Sequence, residues 1–256
     1  MPDDPRPPAP FTLTAPPAAA LPPPADEGAL LRRARALAGR TVRDVAGELS
    51  RRVPRDLRRR KGWLGRLVED VLGAAGGSEG APDFPGLGVE LKTLPIDAQG
   101  RPLEATWVTQ AEGEGDTWET SRVRAKLARV LWVPIARPPR PPVPTGGPRP
   151  LSPSPADFRF AAPMLWSPSP EQEAVLRADW GELMELLRVG AFDALDARVG
   201  MWLQLRPKGA SARDTIWALR DDGQWVRTNA RGFYLRATFT RALLQRHFAL
   251  PTGEGV

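Results

Sequence analysis

The stretch Asp83-Phe84-Pro85-Gly86-Leu87-Gly88-Val89-Glu90-Leu91-Lys92-Thr93 decides how the chain is read. From residue 87 it alternates with a period of two, which is the period of a strand. Leu87, Val89 and Leu91 then share one face, and Glu90 and Lys92 stand side by side on the other. Asp83 lies just ahead of the strand. Two carboxylates and an ammonium so placed match what phosphodiester hydrolysis asks for. That chemistry needs hard oxygen ligands for Mg²⁺ and a positive group near the attacking water. The Leu91 carbonyl is a further candidate ligand. The same spacing also suits a solvated strand face with an exposed Glu/Lys pair, and the tripeptide alone leaves both open.

Outward from this strand, Asp97-Ala-Gln-Gly100 reads as a turn and 103–109 as a second strand, which predicts a hairpin. Upstream, Asp26 caps a helix that stops at Gly39. Thr41 starts another helix with Asp44 three residues on, and 61–75 forms a third. In the third, Trp63, Leu64, Leu67, Val68, Val71 and Leu72 repeat at helical spacing, with Glu69 beside the stripe. Downstream, 119–128 reads as a helix and 129–135 as a strand. A long helix capped by Ser169 runs to about Arg188; 201–207 and 225–229 are strands, and 238–248 is a last helix. This order predicts an α/β fold with a central mixed sheet flanked by helices.

Residues 1–24 hold 10 of the 30 prolines and read as a disordered tail, with 251–256 as a flexible end. Another 10 fall in 134–155, so a surface insertion is expected over about 137–160. A single structured domain should occupy 25–250.

The 256 residues contain no Cys and one His, His247, which excludes disulfides, thiolate metal sites and His-cluster zinc sites. With no apolar run long enough to span a bilayer and no signal-like start, no membrane partner and a cytoplasmic location are expected. The net charge of +6 favours a polyanion, nucleic acid first. Of 36 basic residues only four are Lys: Lys61, Lys92, Lys126 and Lys208.

The run from Asp83 to Glu104 resembles the MutH family of mismatch-repair endonucleases, within the restriction-enzyme-like nucleases that carry a D…(D/E)xK motif. The resemblance continues in Lys61-Gly-Trp-Leu-Gly65, Thr117-Trp-Glu-Thr-Ser-Arg-Val-Arg-Ala-Lys126 and Val130-Leu-Trp-Val-Pro134. It extends through Leu165-Trp-Ser-Pro168, Leu205-Arg-Pro-Lys208 and Arg231-Gly-Phe-Tyr-Leu235, in order over about 26–250. It implies a restriction-endonuclease-like fold of two lobes enclosing a DNA cleft. It also implies a Mg²⁺-dependent enzyme that nicks the unmethylated strand of hemimethylated GATC sites, activated by MutL and indirectly by MutS.

Carried over by position, the resemblance makes Asp83, Glu90, the Leu91 carbonyl and Glu69 metal ligands. Lys92 serves the attacking water, and Lys126 is a basic residue of the active site. Lys61, Glu104, Trp107, Arg206, Pro207, Lys208 and Tyr234 fall at DNA-contacting positions. Arg206 is suited to guanine, and Tyr234, the only Tyr, to sensing adenine methylation. The family more often has Phe at Trp107 and often His at Arg122. A restriction endonuclease cutting both strands at the same tetranucleotide, and a catalytically silent DNA-binding module, are the competing classes. The single D…ExK set favours a monomer that nicks, and its intact residues argue against a silent module.

Overall fold

The computed structural model describes residues 21–75, 80–111, 117–139, 152–195, 198–208, 215–220 and 222–248. Most of the Pro-rich tail, the middle of the second Pro-rich tract and residues 251–256 lie outside them.

Three helices open the described chain: α1 (Glu27–Arg35), α2 (Val42–Glu48) and α3 (Trp63–Leu72). Their starts follow local chemistry. Asp26 accepts a hydrogen bond from the Ala29 N–H at 2.6 Å, and Thr41 and Asp44 form a reciprocal capping box. The end of the expected tail is ordered against this layer. The Arg33 guanidinium donates to the Pro22 carbonyl at 2.7 Å and to the Leu72 carbonyl at 2.9 Å. The backbone therefore settles before residue 25, because Arg33 ties it to the end of α3.

Strand β1 (Glu90–Ile96) begins three residues later than the alternation predicts, and its partner is not the next strand. The expected hairpin closes only at its turn, where Ile96 bridges Pro102 antiparallel and the Leu103 N–H donates to the Pro95 carbonyl at 3.0 Å, and β2 does not pair with β1. β1 pairs in parallel with β3 (Val130–Ala136), setting Glu90 opposite Val130 and Lys92 opposite Trp132. Between them, β2 (Thr106–Gln110) leaves for a different sheet, and α4 (Arg122–Leu127) supplies the crossover. Sheet burial explains the choice. Both faces of β1 and β3 are covered, with Val89, Leu91, Leu131 and Val133 packed toward α1–α3 and Leu94, Val130 and Trp132 packed on the opposite side. Two short strands, β4 (Arg159–Phe160) and β5 (Met164–Trp166), run antiparallel to β3 and make the sheet mixed. Leu87 stands outside β1, in a single helical turn over Pro85–Leu87.

The Pro-rich insertion is shorter at its C-terminal end than its composition predicts. Ala156, Phe158 and Phe160 are buried, so the chain has rejoined the core before residue 160. Beyond it, α5 (Pro170–Arg188) begins with the expected Ser169 cap, which Gln172 completes as a capping box. β6 (Leu203–Pro207) follows, and then β7 (Thr215–Leu219) and β8 (Trp225–Asn229) form a hairpin. Finally β9 (Arg231–Leu235) inserts between β2 and β6, antiparallel to both, and α6 (Ala237–Phe248) ends the described chain. β4, β5, β7 and β9 are absent from the pattern-based reading. β9 is short and interrupted by Gly232, and its partners are over 20 and over 100 residues away. His247 lies exposed in the last turn of α6, its ring edge to face with that of Phe248. Among the described residues no helix is long and apolar enough to cross a membrane.

Candidate active site

The loop before β1 folds back on itself. Gly88 takes φ +65°, and the Phe84 N–H donates to the Val89 carbonyl across the turn at 2.9 Å. This return brings the Asp83 carboxylate to the start of the strand, where it accepts from the Leu91 N–H at 2.7 Å. Asp83 and Glu90 are thereby held together by backbone geometry.

Glu90 is only 4% exposed, and both its carboxylate oxygens are engaged. The Lys92 Nζ donates to Oε1 at 2.7 Å, and the Lys126 Nζ donates to Oε2 at 2.9 Å. Lys126 also donates to the Ala81 carbonyl at 2.6 Å, which fastens α4 to the Asp83 loop. A solvated Glu/Lys pair is thereby excluded: Lys92 and Lys126 are nearly buried along with their partner. Such a group is retained only when every charge has a close counter-charge.

Glu69, two turns into α3, lines the same cleft as these residues. Burial, and then the neighbouring Asp83 charge, push its carboxyl above the usual carboxylate range. Asp83 is also raised, by burial first and by Glu90 second, against the opposing pull of the Leu91 N–H and the two lysines. Crowded carboxylates with raised pKa values mark a place where added positive charge is favourable.

The cleft has a volume of about 580 Å³. Its far wall is strand β2, from Trp107 to Gln110, with Lys208 at the end of β6 and Arg122 at the start of α4. Next to this wall, Trp107 faces Tyr234 across the β2–β9 ladder, ring centroids 5.1 Å apart and edge to face. The Arg206 guanidinium lies 5.5 Å from the Tyr234 ring centre, and the Lys208 ammonium 5.1 Å from that of Trp107. Lys208 also hydrogen-bonds the Gln110 side chain. Burial raises the Tyr234 phenol above its ordinary value, against the opposing pull of Arg206.

Not every sequence-predicted residue meets here. Arg206 and Pro207 belong to strand β6 itself and are exposed, with Pro207 opposite Arg231. Glu104 is exposed on the connection into β2, and Lys61 is exposed ahead of α3; neither lines the cleft. Three of the four lysines do. Two contributors escaped the sequence reading. Gln110 carried no signal, being one more polar residue at a strand end. Gly232 did carry one, since an isolated Gly inside a strand marks close backbone approach. A Cβ there would lie 2.0 Å from the Trp107 ring.

The donor chemistry fits a hard divalent cation: Glu69, Asp83 and Glu90 offer oxygen, with no thiolate or imidazole nearby. Among the described residues no three such side chains close into a formed cage, and Glu90 is held by its lysines.

Comparison with known proteins agrees with this geometry. A family model described as DNA mismatch repair enzyme MutH matches residues 72–179. The DNA mismatch repair protein MutH of Yersinia enterocolitica is 47% identical over 231 residues, covering 89% of this chain and 96% of its own. That of Yersinia pestis (strain Pestoides F) is 48% identical over 233 residues with the same coverage. A cleft uniting paired carboxylates and lysines with a cation-bearing aromatic wall, and near-full-length likeness to these relatives, place the chain in one group: it belongs to the MutH family of DNA mismatch repair enzymes.

Proposed function

We propose that this mismatch repair endonuclease uses Mg²⁺ to nick the unmethylated strand of duplex DNA at hemimethylated GATC sites. The observation that carries the reading is the convergence, on one cleft, of the Asp83–Glu90–Lys92–Lys126 cluster and the β2 wall beside Tyr234 and Arg206.

Asp83, Glu90, the Leu91 carbonyl and Glu69 would hold the metal. Bound Mg²⁺ supplies Lewis acidity at the phosphate and lowers the pKa of a coordinated water. Lys92 stands 2.7 Å from Glu90, where its ammonium can orient the attacking water and stabilise charge on the pentacovalent phosphorus. Lys126 aims Glu90 by a hydrogen bond to its Oε2, and ties it to the Ala81 loop. On the opposite wall, Arg206 would read guanine O6 and N7, with Pro207 and Lys208 flanking it in the major groove. Tyr234 would contact the adenine N6 edge, where a methyl group changes the fit. Trp107, Glu104 and Lys61 would add contacts around the site.

We read residues 25–250 as one nuclease domain of two lobes that acts as a cytoplasmic monomer, activated by MutL and, through it, by MutS. One catalytic set per chain supports nicking over a double-strand cut. The test is to incubate the protein and Mg²⁺ with unmethylated, hemimethylated and fully methylated GATC duplexes, with and without MutL, and to map the cut strand. Cleavage confined to the unmethylated strand and enhanced by MutL is expected. Equal cutting of both strands in all three substrates would overturn the methyl-directed reading in favour of a restriction enzyme. No cutting of any would favour a silent binding module.

A further inference from the structure

The net charge of the chain is concentrated in one place. Residues 51–61, Arg-Arg-Val-Pro-Arg-Asp-Leu-Arg-Arg-Arg-Lys, hold seven basic side chains and one acid, a net of +6. The other 245 residues carry 29 bases and 29 acids and sum to zero. The whole basicity of the protein is therefore a property of the connection between α2 and α3.

This connection displays its charge. All seven cations are exposed, while Val53, Leu57 and Trp63 turn inward onto the core beneath. Arg51 pairs with Asp70 of α3, which fixes the start of the segment, and Arg59 lies 3.9 Å from Asp56. Among the described residues, Arg52, Arg55, Arg58, Arg60 and Lys61 have no carboxylate partner. Five unpaired cations on an ordered connection repel one another, and an intramolecular purpose would have brought acids to them. Their position relates them to the cleft. Gly62 follows directly and opens α3, which carries Glu69 into the active site. On the other side, Arg55 and Arg58 border a groove shared with Gln99 and Leu103, on the connection that runs into β2 and Trp107.

We propose that Arg52, Arg55, Arg58 and Arg60 form a phosphate-binding track for duplex DNA outside the recognition site, continuing the path of the DNA beyond the catalytic cleft. The track reads no bases. Guanidinium groups at this density neutralise successive phosphates and release counterions, which adds affinity on any flanking sequence. The proposal rests on the DNA-nicking reading above, and unaltered protein nicking its site tests that reading by itself.

The experiment measures binding of wild type and of an Arg52→Gln/Arg55→Gln/Arg58→Gln/Arg60→Gln variant across a salt series. Each protein meets a short duplex holding little more than the site and a long duplex with flanks on both sides. Four lost phosphate contacts flatten the slope of log K against log salt by about 3.6. Between 50 and 200 mM salt the wild type then loses about a hundredfold more affinity than the variant on the long duplex. On the short duplex the two slopes converge. The corresponding Arg→Lys variant, which keeps the charge, retains the steep slope, and this separates electrostatics from misfolding. An unchanged slope in the Gln variant, or an equal change on both duplexes, overturns the proposal. Loss of activation by MutL with an unchanged DNA slope also overturns it, and assigns the arginines to an acidic protein surface instead.

Discussion

The two walls of the cleft are built on opposite electrostatic plans. Around Glu90 the charges are buried, paired at 2.7–2.9 Å and drawn from elements that the chain lays down within 45 residues of one another. Around Tyr234 the cations rest on aromatic faces at 5.1–5.5 Å, Arg206 and Lys208 are exposed, and Trp107 reaches this wall on β2, about a hundred residues ahead of β6 and β9. A buried ion cluster is rigid because loosening one contact leaves a charge unpaired in low dielectric. A cation–π wall is softer, so its cations can exchange an aromatic face for a base edge or phosphate without a large desolvation cost. Chemistry needs the first property, and reading a sequence needs the second.

The largest expected effect tests the rigid wall. Asp83→Ala and Lys92→Ala should each lower single-turnover nicking by about a thousandfold, in the range for losing one preorganised electrostatic group. DNA binding should remain within a few-fold of wild type. Comparable cleavage by the Asp83→Ala protein would remove Asp83 from the site.

Next comes Lys126→Ala, which leaves Glu90 with one counter-ion. Breaking a buried pair costs about 3 kcal/mol or more of stability, to be read by denaturant unfolding, with nicking lost as well. A change within experimental error in both would mean that Lys126 merely fills space.

The soft wall should respond in selectivity. Tyr234→Ala should reduce the preference for the unmethylated strand by about fivefold, the equivalent of roughly 1 kcal/mol for one apolar methyl-sized contact. An unchanged strand ratio would take the reading role from Tyr234. Gly232→Ala should act on the same property indirectly, since the new methyl must push Trp107 off the strand. Substrate affinity and strand preference should weaken together, with the single-turnover rate on saturating DNA changed less. The opposite split would place Trp107 with the catalytic wall.

The smallest effect is on stability against pH. Glu69 is raised by burial and by Asp83, so the folded protein holds its proton more tightly than the unfolded chain does. Stability of the metal-free protein should therefore fall as pH climbs from the ordinary carboxylate range through the raised value. Glu69→Gln, which cannot ionise, should melt at a higher temperature than wild type at neutral pH without metal, and should gain less from added Mg²⁺. Equal melting temperatures with and without the substitution would show that Glu69 is not strained in the cleft.

Local chemistry in the sequence determined most of the helices, the β1 strand and the pairing of Glu90 with Lys92. Caps act over three residues and strand alternation over two, so both are visible without a partner. The resemblance to the MutH family, not local chemistry, pointed to Lys126, and counting charges along the chain located the net charge in 51–61. The tertiary structure alone decided that β1 pairs with β3 and not with β2, because burial on both faces outweighs the short turn between neighbours. It alone revealed β9, and with it the contact of Trp107 with Gly232 and Tyr234. It separated Lys61 from the other three lysines and assigned Lys126 to Glu90 and Ala81. These facts depend on which distant segments share a surface, and a pattern with a period of two or three and a half residues carries no information about that choice.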